Sequence, residues 1–120
     1  MDKKTLVIGA SENTDRYSNK AVKKLLENKI SVVALGKNEG FIENVKILTG
    51  TPALDNIHTI SIYLNPQLQQ TVTDYLLSLN PKRIIFNPGT ENPTLSQQAQ
   101  QKGIEVVEGC TLVMLATKQF

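Results

Sequence analysis

The chain has 120 residues, 40% of them hydrophobic and 20% charged, so it holds enough apolar material for one packed core, and neither disorder nor a fibrous repeat is indicated. Thirteen Lys and Arg against eleven Asp and Glu leave a net charge of +2, too small and too dispersed for the clustered basic face that nucleic acid requires. One cysteine, Cys110, excludes an internal disulfide, and together with one histidine, His58, it cannot supply an ordinary structural zinc site.

Thr5 to Gly9 is a β-branched and apolar run that ends on a glycine, which predicts a buried central strand. Val22, Leu25 and Leu26 then recur at helical spacing while Lys20, Lys23, Lys24 and Glu27 face away, giving an amphipathic helix with Ser18 or Asn19 as its cap. Ile30 to Leu35 reads as the next strand, so the first forty residues spell strand, helix, strand, the order of a right-handed parallel crossover. Val45 to Leu48 is a short strand candidate, and Ala53 to Ile57 a helical turn after Gly50-Thr51-Pro52.

Thr59 to Leu64 is strand-like, and Asn65-Pro66 supplies a capping side chain followed by proline at the first helical position. Leu68, Val72, Tyr75, Leu76 and Leu79 form one apolar stripe, which predicts a single helix ended by Asn80-Pro81. Arg83 to Phe86 is the next strand. Asn92-Pro93 opens a helix closed by Gly103, Ile104 to Val107 is the last strand, and Cys110 to Thr117 reads as a short buried helix. The longest apolar run, Leu112 to Ala116, is far below the roughly twenty residues of a membrane span, and Met1 to Lys4 lacks the apolar stretch of a signal peptide.

The alternation of strands and helices predicts an α/β fold: one Rossmann-like domain over residues 1–120, with an open, mostly parallel sheet of five or six strands and helices on both faces. A cytoplasmic protein is expected, without a nucleic-acid or membrane partner, and with a homodimer or a partner subunit left open.

In such sheets ligands bind beyond the carboxyl ends of the strands, where strand order reverses. The loops at that edge hold Gly9-Ala10-Ser11-Glu12-Asn13, Gly36-Lys37, Asn65-Pro66 and Asn87-Pro88-Gly89-Thr90-Glu91-Asn92. A helix N-terminus at the end of a central strand suits phosphate, Ser11 can donate, and Arg16 can fork onto an anion. The spacing is neither G-x-G-x-x-G nor a P-loop, so hydrolysis of a nucleoside triphosphate is not supported. Lys37, where NAD binders carry an acid, either meets a phosphorylated ribose or is an exposed turn lysine. Tyr17 packs over an adenine or merely covers the first helix. Glu91 is either an acid–base group or a turn residue beside the Asn92 cap, and Cys110 either a reactive thiol or an inert one.

The segments Val7 to Asn13, Arg16-Tyr17-Ser18-Asn19, Tyr63 to Pro66, Asn87 to Asn92 and Cys110 to Leu115 together resemble the small stand-alone CoA-binding domain proteins. Those are similar in fold to the N-terminal CoA-binding domain of the succinyl-CoA synthetase α subunit. The resemblance implies coenzyme A or an acyl-CoA as ligand, with the Gly9 to Asn13 loop and Arg16 on the pyrophosphate and Gly36 and Lys37 near the phosphorylated ribose. It further implies Asn65 and Pro66 on the adenosine or pantetheine side, and Asn87, Pro88, Gly89, Thr90 and Glu91 beside the pantetheine arm. Tyr17, Ser18 and Asn19 complete the expected site. The synthetase's second domain is lacking, and His58 precedes a strand at the other edge, so no phosphoryl relay is expected. A binding module without catalysis is the first expectation. Its rivals are an NADP-binding oxidoreductase subunit and the detached CoA-binding half of an acyl-CoA synthetase acting with a partner chain.

Overall fold

A computed structural model describes residues 2–120. Its strands are β1 (Thr5–Ala10), β2 (Val32–Gly36), β3 (Gly40–Ile42), β4 (Val45–Leu48), β5 (Thr59–Ile62), β6 (Arg83–Phe86) and β7 (Glu105–Glu108). Its helices are α1 (Tyr17–Glu27), α2 (Pro66–Gln69), α3 (Thr73–Ser78), α4 (Pro93–Gln101) and α5 (Thr111–Ala116). The strands form one sheet in the order β3-β4-β2-β1-β5-β6-β7. Every pairing is parallel except β3 with β4. The Rossmann-like α/β reading therefore holds, with seven strands in place of the expected five or six.

The additional strand, β3, is a three-residue arm antiparallel to β4 at the sheet edge, too short to leave an apolar pattern in the sequence.

Strand alternation divides the core. Leu6 and Ile8 of β1 join Ile60, Ile62, Ile84 and Phe86 under Leu76 of α3 and Leu95 and Ala99 of α4. Val7 and Ala10 face the other way, against Val22 and Leu25 of α1 and Leu115 of α5. Buried on both faces, the central strands read as continuous apolar runs, which is why they were legible.

Four expectations are corrected. Residues 53 to 57 form no helical turn; the segment is irregular, with Ile57 alone buried deeply. Neither Ser18 nor Asn19 caps α1, which starts earlier, from an extended Arg16 with no side-chain acceptor. The helix expected across Leu68 to Leu79 is two helices, α2 and α3, with the chain tightening between them as the Thr71 N–H donates to Leu68 O and the Val72 N–H to Gln69 O. Gln69 and not Leu68 turns inward, fully buried and bonded to Leu64 O and Thr90 O. Lastly, α5 is only half buried, with Val113 exposed and Thr111 and Leu115 turned inward.

β1 is the pivot. The chain runs from it to β2 and β4 on one side and returns to β5, β6 and β7 on the other, so strand order reverses at the β1–β5 pair. At the carboxyl end of β2, a Cβ on Gly36 would stand 2.3 Å from the backbone oxygen of Ala10, so only glycine permits this approach. Gly36→Ala is predicted to force the two strand ends apart and destabilise the fold by about 2 kcal/mol. Urea unfolding reads this as a lower midpoint at constant slope. An unmoved midpoint would refute the close approach.

Candidate functional site

The carboxyl edge of the sheet opens into a cavity of about 750 Å³ at the strand-order reversal. Three segments build it. The β1–α1 connection contributes Gly9, Ala10, Ser11, Glu12 and Asp15 and runs into Arg16, Tyr17 and Ser18; the segment after β2 contributes Lys37, Asn38 and Glu39; the end of β5 and α2 contribute Tyr63, Leu64 and Leu68.

The first segment is held by its own polar groups. The Asn13 N–H donates to Ser11 Oγ at 3.1 Å, the Asp15 N–H donates to Asn13 Oδ1 at 2.9 Å, and Asn19 Nδ2 donates to Ser11 O at 2.8 Å. Across the cavity mouth Glu12 Oε2 accepts from the Phe41 N–H at 2.9 Å, tying the loop to β3. Gly9 adopts φ +96, and a Cβ there would lie 2.9 Å from the carbonyl carbon of Tyr63, so the loop passes directly against the end of β5. In the first turn of α1, Tyr17 and Ser18 carry N–H groups that have no partner within the helix, and Arg16 caps them with no side chain. By contrast Asn65 and Asn92 cap α2 and α4 by accepting from the Leu68 and Leu95 N–H groups. The uncapped turn with its dipole and the Arg16 and Lys37 side chains can meet an anion, while Glu12, Asp15 and Glu39 line the same cavity.

Of the residues expected from sequence, Gly9, Ala10, Ser11, Arg16, Tyr17, Ser18 and Lys37 line this cavity. Asn13 and Asn19 shape the loop from outside it. Gly36 lies behind the lining as the close-approach glycine. Asn65 and Pro66 start α2 and stay outside, while Leu68, one turn on, lies at the mouth.

The segment Asn87 to Glu91 is outside as well, and for a clear reason. Asn87 is buried, donating from Nδ2 to Ser61 Oγ at 3.0 Å and Ile62 O at 2.9 Å and accepting at Oδ1 from the Thr111 N–H at 2.9 Å. Thr90 Oγ1 donates to Asn87 O, and Glu91 Oε1 accepts from the Gly89 N–H, so Pro88 to Glu91 is a closed turn. The Asn87 side chain ties the end of β6 to β5 and α5.

Glu12, from the loop expected at the pyrophosphate, and Tyr63 and Leu64, from the Tyr63 to Pro66 segment, also line the cavity, and Asp15, Asn38, Glu39 and Leu68 line it without having been singled out. Tyr63 and Leu64 directly follow a central strand, as a ligand edge requires. The others follow from the fold of the loops. His58 stands at the opposite end of the sheet, its Nδ1 2.8 Å from Thr59 Oγ1, with its pKa lowered by burial and then by the nearby Arg83.

A family model for the CoA binding domain matches residues 3–116. The chain belongs to the CoA binding domain family. A crystal structure of an uncharacterized protein is 41% identical, with a TM-score of 0.97, covering 100% of this chain and 99% of its own. A Thermus thermophilus protein (17% identity, TM-score 0.87, 99% and 91% coverage) and a Pyrococcus horikoshii hypothetical protein (21%, 0.86, 98% and 84%) share the fold. No curated protein matches the chain. None of the helices is long and apolar enough to cross a membrane, among the described residues.

Tyr63 forms the cavity's inner wall, and its hydroxyl is buried without a hydrogen-bond partner, close to the Ser61 and Thr111 hydroxyls that bond each other at 2.8 Å. Burial pushes its pKa from 10.0 up to about 12. The folded state therefore holds this proton more tightly than the unfolded chain, and stability falls as pH rises from about 10 through about 12. Tyr63→Phe is predicted to leave stability at pH 7 unchanged or higher, since it removes an unpaired buried hydroxyl, and to make the fall in thermal midpoint above pH 10 shallower. Burial also raises Tyr75, so some fall remains. Identical alkaline profiles for the two chains would contradict the assignment.

Proposed function

We propose that the protein binds coenzyme A or an acyl-CoA in the carboxyl-edge cavity and performs no chemistry of its own. The observation that carries this reading is that the cavity coincides with the uncapped β1–α1 connection at the strand-order reversal, in a chain of the CoA binding domain family. The backbone N–H groups of the first turn of α1, with Ser11 and Arg16, hold the pyrophosphate. Lys37, exposed at the end of β2, takes the 3′-phosphate of the ribose. Absence of catalysis is supported by the position of the chain's one histidine at the far end of the sheet, which leaves the cavity's hydroxyls without an imidazole base. The held charge makes affinity fall with ionic strength.

Thermal unfolding with CoA, dephospho-CoA, NADP and NAD in parallel tests the reading. At a hundredfold excess over Kd, CoA stabilises the native state by about 2.7 kcal/mol. That is a rise in Tm on the order of 10 °C for a domain of this size. Arg16→Ala and Lys37→Ala each weaken CoA by about fivefold to tenfold, and Lys37→Ala weakens dephospho-CoA less. A shift with NADP but not CoA, or no shift with any of the four, would overturn the proposal. Equal losses on CoA and dephospho-CoA in Lys37→Ala would remove that residue from the 3′-phosphate.

A further inference from the structure

We infer that the cavity reads only the charged head of its ligand and leaves the distal, acyl-bearing end unread, with the uncharged arm lying along Tyr63 and Leu64 and leaving past Leu68. The inference rests on the CoA reading and adds the ligand class: CoA and its thioesters without regard to the acyl group.

Charge is segregated across the cavity. All of its ionic groups, Glu12, Asp15, Arg16, Lys37 and Glu39, come from the β1 and β2 side, whereas the β5 and α2 side offers Tyr63, Leu64 and Leu68. The uncharged arm of the ligand therefore follows the β5 and α2 side, because laid beside Glu12, Asp15 and Glu39 it would strip water from carboxylates.

The other route from the head site is closed. Between the ends of β5 and β6, Gln69 Nε2 donates to Leu64 O at 2.8 Å and to Thr90 O at 2.7 Å, and Asn92 Nδ2 donates to Gln69 Oε1 at 3.0 Å. Gln69 is fully buried in doing so. An arm passing over β6 would have to break this set. The same inward turn of Gln69 sets Leu68 outside, 51% exposed at the mouth, on a helix whose apolar spacing would otherwise have hidden it. An arm that leaves past the half-exposed Leu68 carries its far end into solvent.

The test is calorimetric titration of the whole chain and of Leu68→Asp with adenosine 3′,5′-bisphosphate, CoA, acetyl-CoA and octanoyl-CoA. On the native chain, CoA, acetyl-CoA and octanoyl-CoA are expected within about threefold of one another, and all tighter than the bisphosphate. Leu68→Asp should weaken the three CoA species by about fivefold or more, from lost apolar burial, and leave the bisphosphate within about twofold. Because Leu68 is exposed, the variant keeps the fold, which circular dichroism verifies. Unchanged CoA affinity in Leu68→Asp, or a preference above about tenfold between acyl groups, overturns the inference while the head reading stands. Failure of both the bisphosphate and CoA to bind the native chain overturns the CoA reading, and this inference with it.

Discussion

The close convergence of three strand ends is the constraint on which the site depends. β1 pairs in parallel with β2 and with β5, and its end must pass both without a side chain in the way. Gly9 lies against the Tyr63 backbone, and Gly36 against the Ala10 oxygen, at separations no Cβ would tolerate. With those ends drawn together, the chain leaving β1 crosses the edge tightly and enters α1 with its first N–H groups beside the cavity. The pairing register also slips between Ile8 and Ala10, so the departure from regular strand begins where the loop must turn.

Two sets of polar residues divide the work at that edge. Asn87, Gln69, Thr90, Asn92, Ser61 and Thr111 are buried and spend their hydrogen bonds on one another and on nearby backbone. A satisfied buried network of this kind fixes geometry, and here it locks β5, β6, α2 and α5 relative to each other. Arg16, Lys37 and the uncapped turn of α1 stay at the surface of the cavity and keep bonding capacity for a ligand. Both sets are rich in residue types that look alike in a sequence.

That likeness explains what was and was not legible. The central strands announced themselves because burial on two faces demands unbroken apolar runs, and the Asn-Pro pairs marked the starts of α2 and α4 because cap and proline act locally. The β1–α1 loop was legible for a similar reason: glycine, small residues and an arginine follow a central strand. The Asn87 to Glu91 segment carries the same small and polar signature, yet whether an asparagine faces a ligand or a neighbouring strand is fixed by tertiary partners up to 26 residues distant in sequence. Leu68 and Gln69 were misread in phase, since periodicity assigned the leucine inward and only the partners Leu64 and Thr90 draw the glutamine in. The β3 arm and Glu12, which accepts from Phe41 N–H across 29 residues, left no local pattern to find.

The most direct test of a ligand site at the β1–β5 reversal is to follow backbone amide resonances of the whole chain while CoA is titrated in. The account predicts shifts concentrated at Gly9 to Ser18, Lys37 to Glu39 and Tyr63 to Leu68, with the amides of Gly89 to Glu91 and of the His58 and Arg83 end nearly still. Shifts centred on the His58 and Arg83 end, or on the Asn87 to Asn92 turn with the β1–α1 loop unmoved, would contradict it.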